Sequence, residues 1–210
     1  MAAPADAVAI RDALVRQWRA IARALPARDL DVASRIAGWR NREVVAHLTM
    51  QPALLVRFLG TAGSEPPRLD AVENLSGTRA FAELIDDATR RAVDAGTIDF
   101  AASSEAAIER LAVAELDVTV TTLQGPIPLA DYLVTRCVEA VVHGRDLVDP
   151  VEPDPEALRI VAVALTALLA RRDAALVAVA ESLPPLAWVA MATGRAPAPA
   201  SLARVVPLMA

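Results

Sequence analysis

Thr135–Leu147 reads TRCVEAVVHGRDL, and its interpretation decides the fold. Val138, Val141 and Val142 recur at helical spacing, and on a helix Glu139 and His143, four residues apart, project from one face with Cβ atoms about 6 Å apart. Two ligand-type side chains would then be aligned before any ion arrives. The same spacing also suits a partly solvated pair or an intrahelical hydrogen bond. The neighbours of Glu139 decide between these readings. Val138, Ala140, Val141 and Val142 surround it, and an unpaired carboxylate among them carries a heavy desolvation cost, so Glu139 calls for a cation.

The chain contains only two histidines. The other, His47, sits in REVVAHL on a second periodic segment, and antiparallel packing of the two helices would bring it opposite the pair. A lone histidine on an apolar face can equally be a satisfied core residue. Two neutral imidazoles and a carboxylate are nevertheless a set found in catalytic zinc sites, where a further position stays open for water or substrate. Glu43, four before His47, could stand behind the ligands, but it falls in the first turn of its helix, where a carboxylate serves as a cap. Asp146, three after His143, could orient that imidazole or simply cap its helix. Arg136, three before Glu139, could pair with that carboxylate or with an anionic substrate. Cys137 points away around the helix and reads as a core thiol.

Outward from these segments the chain is helical almost throughout. Helices are predicted over 5–25, from 39–41 to 60 with a kink at Pro52, over 78–95, 101–116, 129–148 and 156–183. Residues 61–76 read as a loop, 117–123 as β-leaning, 125–128 as a turn and 186–210 as an irregular tail. The proline-rich, acidic stretch 149–155 divides the chain into a bundle, 1–150, and a C-terminal helix with its tail, 151–210.

Composition narrows the partners. The net charge is −5 and all basic residues are arginine, scattered among acids, so there is no electrostatic footprint for nucleic acid. One cysteine rules out an internal disulfide or a cysteine cluster, so a metal must use His and carboxylate ligands. The longest apolar run, 160–170, ends at Arg171-Arg172-Asp173, short of the roughly 20 residues of a membrane span, and the early charges argue against a secretory leader. A cytoplasmic protein is expected. The apolar face of the last helix, with Leu158, Leu165 and Leu169, would cover the bundle or a second subunit in a homodimer.

The segment Trp39-Arg-Asn-Arg-Glu-Val-Val-Ala-His47-Leu, taken with Gly125-x-Ile-Pro128-Leu-x-x-Tyr132-x-x-x-Arg136-x-x-Glu139-x-x-x-His143-x-x-Asp146-Leu, resembles the mycothiol-dependent maleylpyruvate isomerase family. That family is an actinobacterial branch of the DinB-like metal-binding four-helix bundles. The resemblance spans about residues 5–150. It implies a mainly α fold, a DinB-like four-helix bundle with an additional C-terminal helix and short tail. It also implies that His47, Glu139 and His143 ligate a divalent metal, usually zinc, and that mycothiol is the thiol co-substrate attacking a small electrophile as S-transferase or cis–trans isomerase. A non-catalytic metal- or ligand-binding bundle and a metal-dependent hydrolase, with Glu43 or a neighbouring acid as base, are the alternatives. Isomerising members carry a further α/β domain, whereas residues 156–210 here read as one helix and a tail. The ending Trp188-Val-Ala-Met-Ala-Thr-Gly194-Arg195 is similar to the closing segment of that domain, which implies an anion-binding role for Arg195.

Overall fold

The computed structural model describes residues 6–209. The first five residues, which include Ala5 of the first expected helix and part of the leader reading, and Ala210 of the tail lie outside it. Helix α1 (Ala7–Ala24) starts at Asp6, whose side chain accepts the Val8 N–H, and buries Ile10, Ala13, Leu14, Gln17, Trp18 and Ile21 along one stripe. Helix α2 (Asn41–Leu59) runs unbroken through Pro52 to Gly60. Helices α3 (Ala71–Gly77) and α4 (Ala82–Asp94) follow, then α5 (Phe100–Ala112), the strands β1 (Thr119–Thr122) and β2 (Gly125–Pro128), and α6 (Leu129–Asp146). Helices α7 (Pro155–Asp173), α8 (Val177–Glu181) and α9 (Pro185–Ala192) complete the described chain.

The expected bundle is formed by α1, α2, α5 and α6, with α1 packed on α6 and α5, and α2 on α5 and α6. Helix α6 is the central member. Since α1, α2, α3 and α7 all press on it, thirteen of its residues are buried, including Leu133, Cys137, Val138, Ala140 and Val141. Its start is set by the hairpin before it. Val120 and Ile127 pair across the antiparallel ladder and point into the core, and the Leu129 N–H bonds Val118 O at 2.8 Å. Its end is held from the other side. Asn41 Oδ1 accepts the Val148 N–H at 3.2 Å, and the Arg35 N–H reaches Asp146 O at 2.9 Å.

Four expectations are corrected. Part of the loop 61–76 is helix α3, because Asp70 and Glu73 cap each other's backbone N–H groups at 2.8 Å and start a helix directly after the prolines. Residues 125–128 are a strand, and the turn is Leu123-Gln124 instead; Gly125, at φ +131°, takes a conformation that side-chain-bearing residues rarely adopt. The long helix 156–183 breaks at Asp173, whose carboxylate accepts the Ala175 N–H and begins a short 3₁₀ turn before α8. The tail is ordered too: α9 buries Trp188, whose indole N–H reaches Ala162 O, and the Leu208 N–H bonds Ala192 O at 2.7 Å. Among the described residues no helix is long and apolar enough to cross a membrane.

Candidate metal centre

Helix α2 delivers His47 from its middle, and α6 delivers Glu139 and His143 from successive turns. The contact between the two helices brings all three together, with one ligand atom of each within 4.8 Å of the others. Glu139 Oε2 is the hub, 2.9 Å from His47 Nε2 and 3.3 Å from His143 Nε2. The imidazoles meet edge to face with centroids 4.5 Å apart. An ion held at about 2.0–2.2 Å by tetrahedral donors separates them by roughly 3.3 Å, so the donors fit a divalent metal in chemistry and in spacing. One further detail agrees. His47 Nε2 also lies 3.1 Å from the Gln51 amide nitrogen, and one ring nitrogen cannot both donate to a carboxylate and accept from an amide N–H.

The electrostatics suit ligation. Burial and the neighbouring His143 push His47 below its ordinary value, which keeps the ring neutral with a lone pair to offer. Burial would raise Glu139, but hydrogen bonds from His143 and His47 outweigh it and hold the carboxyl well below its usual range. Burial likewise opposes charge on His143, yet its bonds to Asp146 and Glu139 raise it to about 9. In the metal-free site, then, a proton on His143 does the work of a cation.

Asp146, 0% exposed, accepts from His143 Nδ1 at 2.8 Å, which directs Nε2 toward Glu139. Arg195 grips the same carboxylate with two nitrogens, Nε to Oδ1 at 3.0 Å and Nη2 to Oδ2 at 2.7 Å. Despite burial, these partners hold the Asp146 carboxyl down at about 2. Arg195 is thus ion-paired behind the candidate ligands, its fork holding Asp146, and it also lines the larger cavity on the triad. Glu43 takes the capping role that its place in the first turn suggested: its Oε2 accepts the Arg40 N–H at 2.7 Å at the start of α2, where the helix terminus needs an acceptor. Arg136 does not ion-pair with Glu139; its guanidinium lies 4.6 Å over the Tyr132 ring and donates to Gln51 Oε1. Cys137 is buried, and burial pushes its thiol up, out of reach of ionisation.

Sequence reasoning missed Gln51, Trp39 and Tyr132 as parts of the site. Gln51 had a signal, since it follows His47 by four residues and shares its face. Trp39 lies 5.8 Å from the His47 ring, and its indole donates to Asp86 at 2.7 Å, which ties α4 to the site. Two cavities open on the triad and share His47, Glu139, Thr78 and Ile85 as walls. One, about 360 Å³, adds His143, Trp39, Thr193 and Arg195; the other, about 110 Å³, adds Arg136, Gln51 and a largely apolar wall.

Comparison with curated proteins and with solved structures found no match. A family model, the mycothiol maleylpyruvate isomerase N-terminal domain, matches residues 11–148, which take in most of α1, all of α2 through α6 and all three ligand-type residues. The linked motifs on α2 and α6, the bundle that joins them and this match over most of the chain agree, and the chain belongs to the mycothiol maleylpyruvate isomerase N-terminal domain family.

Proposed function

We propose that this chain is a metal-dependent enzyme that directs a low-molecular-weight thiol, mycothiol, at an electrophilic carbon of a small molecule, as S-transferase or cis–trans isomerase. The observation that carries the reading is the convergence of His47, Glu139 and His143 where two cavities meet. Zinc held there would lower the pKa of a thiol and so supply a thiolate at neutral pH. The residues of the chain do the rest. His47 and His143 each present an Nε2 lone pair, Glu139 adds the anionic oxygen, and Asp146 keeps the remaining His143 proton at Nδ1. The larger cavity, with its hydroxyl, indole and guanidinium groups, suits a polar co-substrate, and the smaller one leaves the electrophile on the opposite side of Glu139.

A hydrolase needs a free base beside the metal, and Glu43 caps a helix instead, so the geometry does not favour that reading. The test pairs metal analysis with a thiol assay. Zinc-loaded protein is expected to hold one ion per chain and His143→Ala far less, and turnover of a bimane or chloro-dinitro-arene electrophile is expected only with mycothiol present. Equal, negligible zinc in both proteins overturns the metal site. Full zinc without thiol-dependent turnover of any electrophile leaves a binding module.

A further inference from the structure

The smaller cavity has a composition of its own. Met50, Leu54, Phe58, Phe81, Leu84 and Leu123 supply much of its wall. Leu84 and Leu123 are 52% and 59% exposed, two large apolar side chains held in water at its rim, one from α4 and one from the hairpin turn. An apolar lip around a small opening favours an apolar visitor. Arg136, 8% exposed, is the one arginine among the residues that line it.

The surroundings of Arg136 leave it short of an anion. Its Nε donates to Thr135 Oγ1 at 3.2 Å and its Nη1 to Gln51 Oε1, while Nη2 makes no hydrogen bond among the described residues. It pairs with no described carboxylate either. Glu139, one turn further along α6, is engaged by the two imidazoles. A buried guanidinium without a carboxylate is an incomplete pair, and its planar fork matches a carboxylate in two-point geometry. Glu139 also faces this cavity, so a second anionic group on a ligand would meet a like charge.

We propose that this cavity is the subsite for the electrophile, that it takes a small apolar molecule bearing a single carboxylate, and that Arg136 binds that carboxylate. The proposal rests on the thiol-dependent reading above for the word electrophile; the carboxylate site stands on the cavity alone.

Benzoate and benzamide, equal in size and different in charge, test this on the full chain with and without zinc, by calorimetry or ligand-observed NMR. Wild type is expected to bind benzoate at least tenfold more tightly than benzamide in both states, and Arg136→Met to abolish the difference. Arg136→Lys is expected to restore part of it, since a point charge replaces the fork. Should the Met variant fail to fold, phenylglyoxal labelling of wild type followed by peptide mass mapping serves instead: Arg136 is expected to be protected by benzoate and not by benzamide. Equal affinity for the two probes, unchanged benzoate binding in Arg136→Met, or tighter binding of the dianion maleate than of benzoate overturns the proposal. If thiol-dependent turnover is absent while benzoate binding still depends on Arg136, the functional reading falls and the subsite stands. If turnover proceeds equally with acids and amides and Arg136→Met leaves both unchanged, the subsite falls alone.

Discussion

Asp146 holds both His143 and Arg195 on its carboxylate, the imidazole Nδ1 and the Arg195 Nη2 sharing Oδ2, and it meets His143 through Nδ1 and not through the Nε2 that faces Glu139. Its effect on the metal is therefore indirect. Asp146→Asn and Arg195→Gln are each expected to weaken zinc about 10–100-fold in chelator competition. The double variant should fall no further than the weaker binder of the two, because both act through one imidazole. Wild-type affinity in both single variants would mean that packing alone orients His143. Cys137→Ala is expected to leave zinc content and thiol-dependent turnover within about twofold of wild type, measured side by side, as its thiol is buried and un-ionised. The candidate triad was legible because histidine is scarce and Glu139 sits among valines and alanine. Gln51 and Tyr132 were not, since a glutamine and a tyrosine on a helix face carry no chemical signature until Arg136 is seen to touch both.

Helix α7 shows how one residue can begin an element and tie it to another. Asp154 Oδ1 accepts the Glu156 and Ala157 N–H groups at 3.0 Å, and Oδ2 takes Arg16 of α1 at 2.6 Å. Asp154→Ala should destabilise the protein by about 1–2 kcal/mol in urea unfolding near pH 7. Burial would raise its carboxyl, but Arg16 and the Ala157 N–H outweigh it and hold it below its ordinary value. A depressed folded-state pKa contributes stability above the unfolded value, about 3.9, and that contribution disappears as pH falls through the folded value. The gap between wild type and variant should thus be full at neutral pH and shrink below about pH 4; a gap that widens on acidification contradicts the assignment. Elements of this kind were only partly readable. The long helices declared themselves by period, whereas α3 was hidden behind Gly63, Pro66 and Pro67 although Asp70-x-x-Glu73 marked its start. Strand β2 was concealed by Pro126 and Pro128, which a two-stranded ribbon tolerates because its outer edge needs no ladder donor.

At the scale of the molecule, the C-terminal segment is joined to the bundle by both apolar and polar contacts. Trp188 is buried against α7, Arg172 donates to the carbonyls of Val205 and Pro207 at 3.1 and 3.2 Å, and Arg195 crosses to Asp146. A chain ending at Leu183 is expected to melt several degrees lower and to bind zinc at least as weakly as Arg195→Gln, by scanning fluorimetry and chelator competition. Unchanged zinc affinity in the shortened chain would sever the tail from the site. Composition could mark 149–155 as a change of register, but not that a guanidinium beyond it returns to α6, since only the folded path sets their distance. The separation of 49 positions from Asp146 to Arg195 also imposes an order of events on biosynthesis. At about 5–20 residues per second, a growing chain has made His47, Glu139 and His143 seconds before it makes the arginine that braces Asp146 beside them. Metal captured during translation would be exchangeable at first and become firmly held only once the last stretch has left the ribosome and closed over α6.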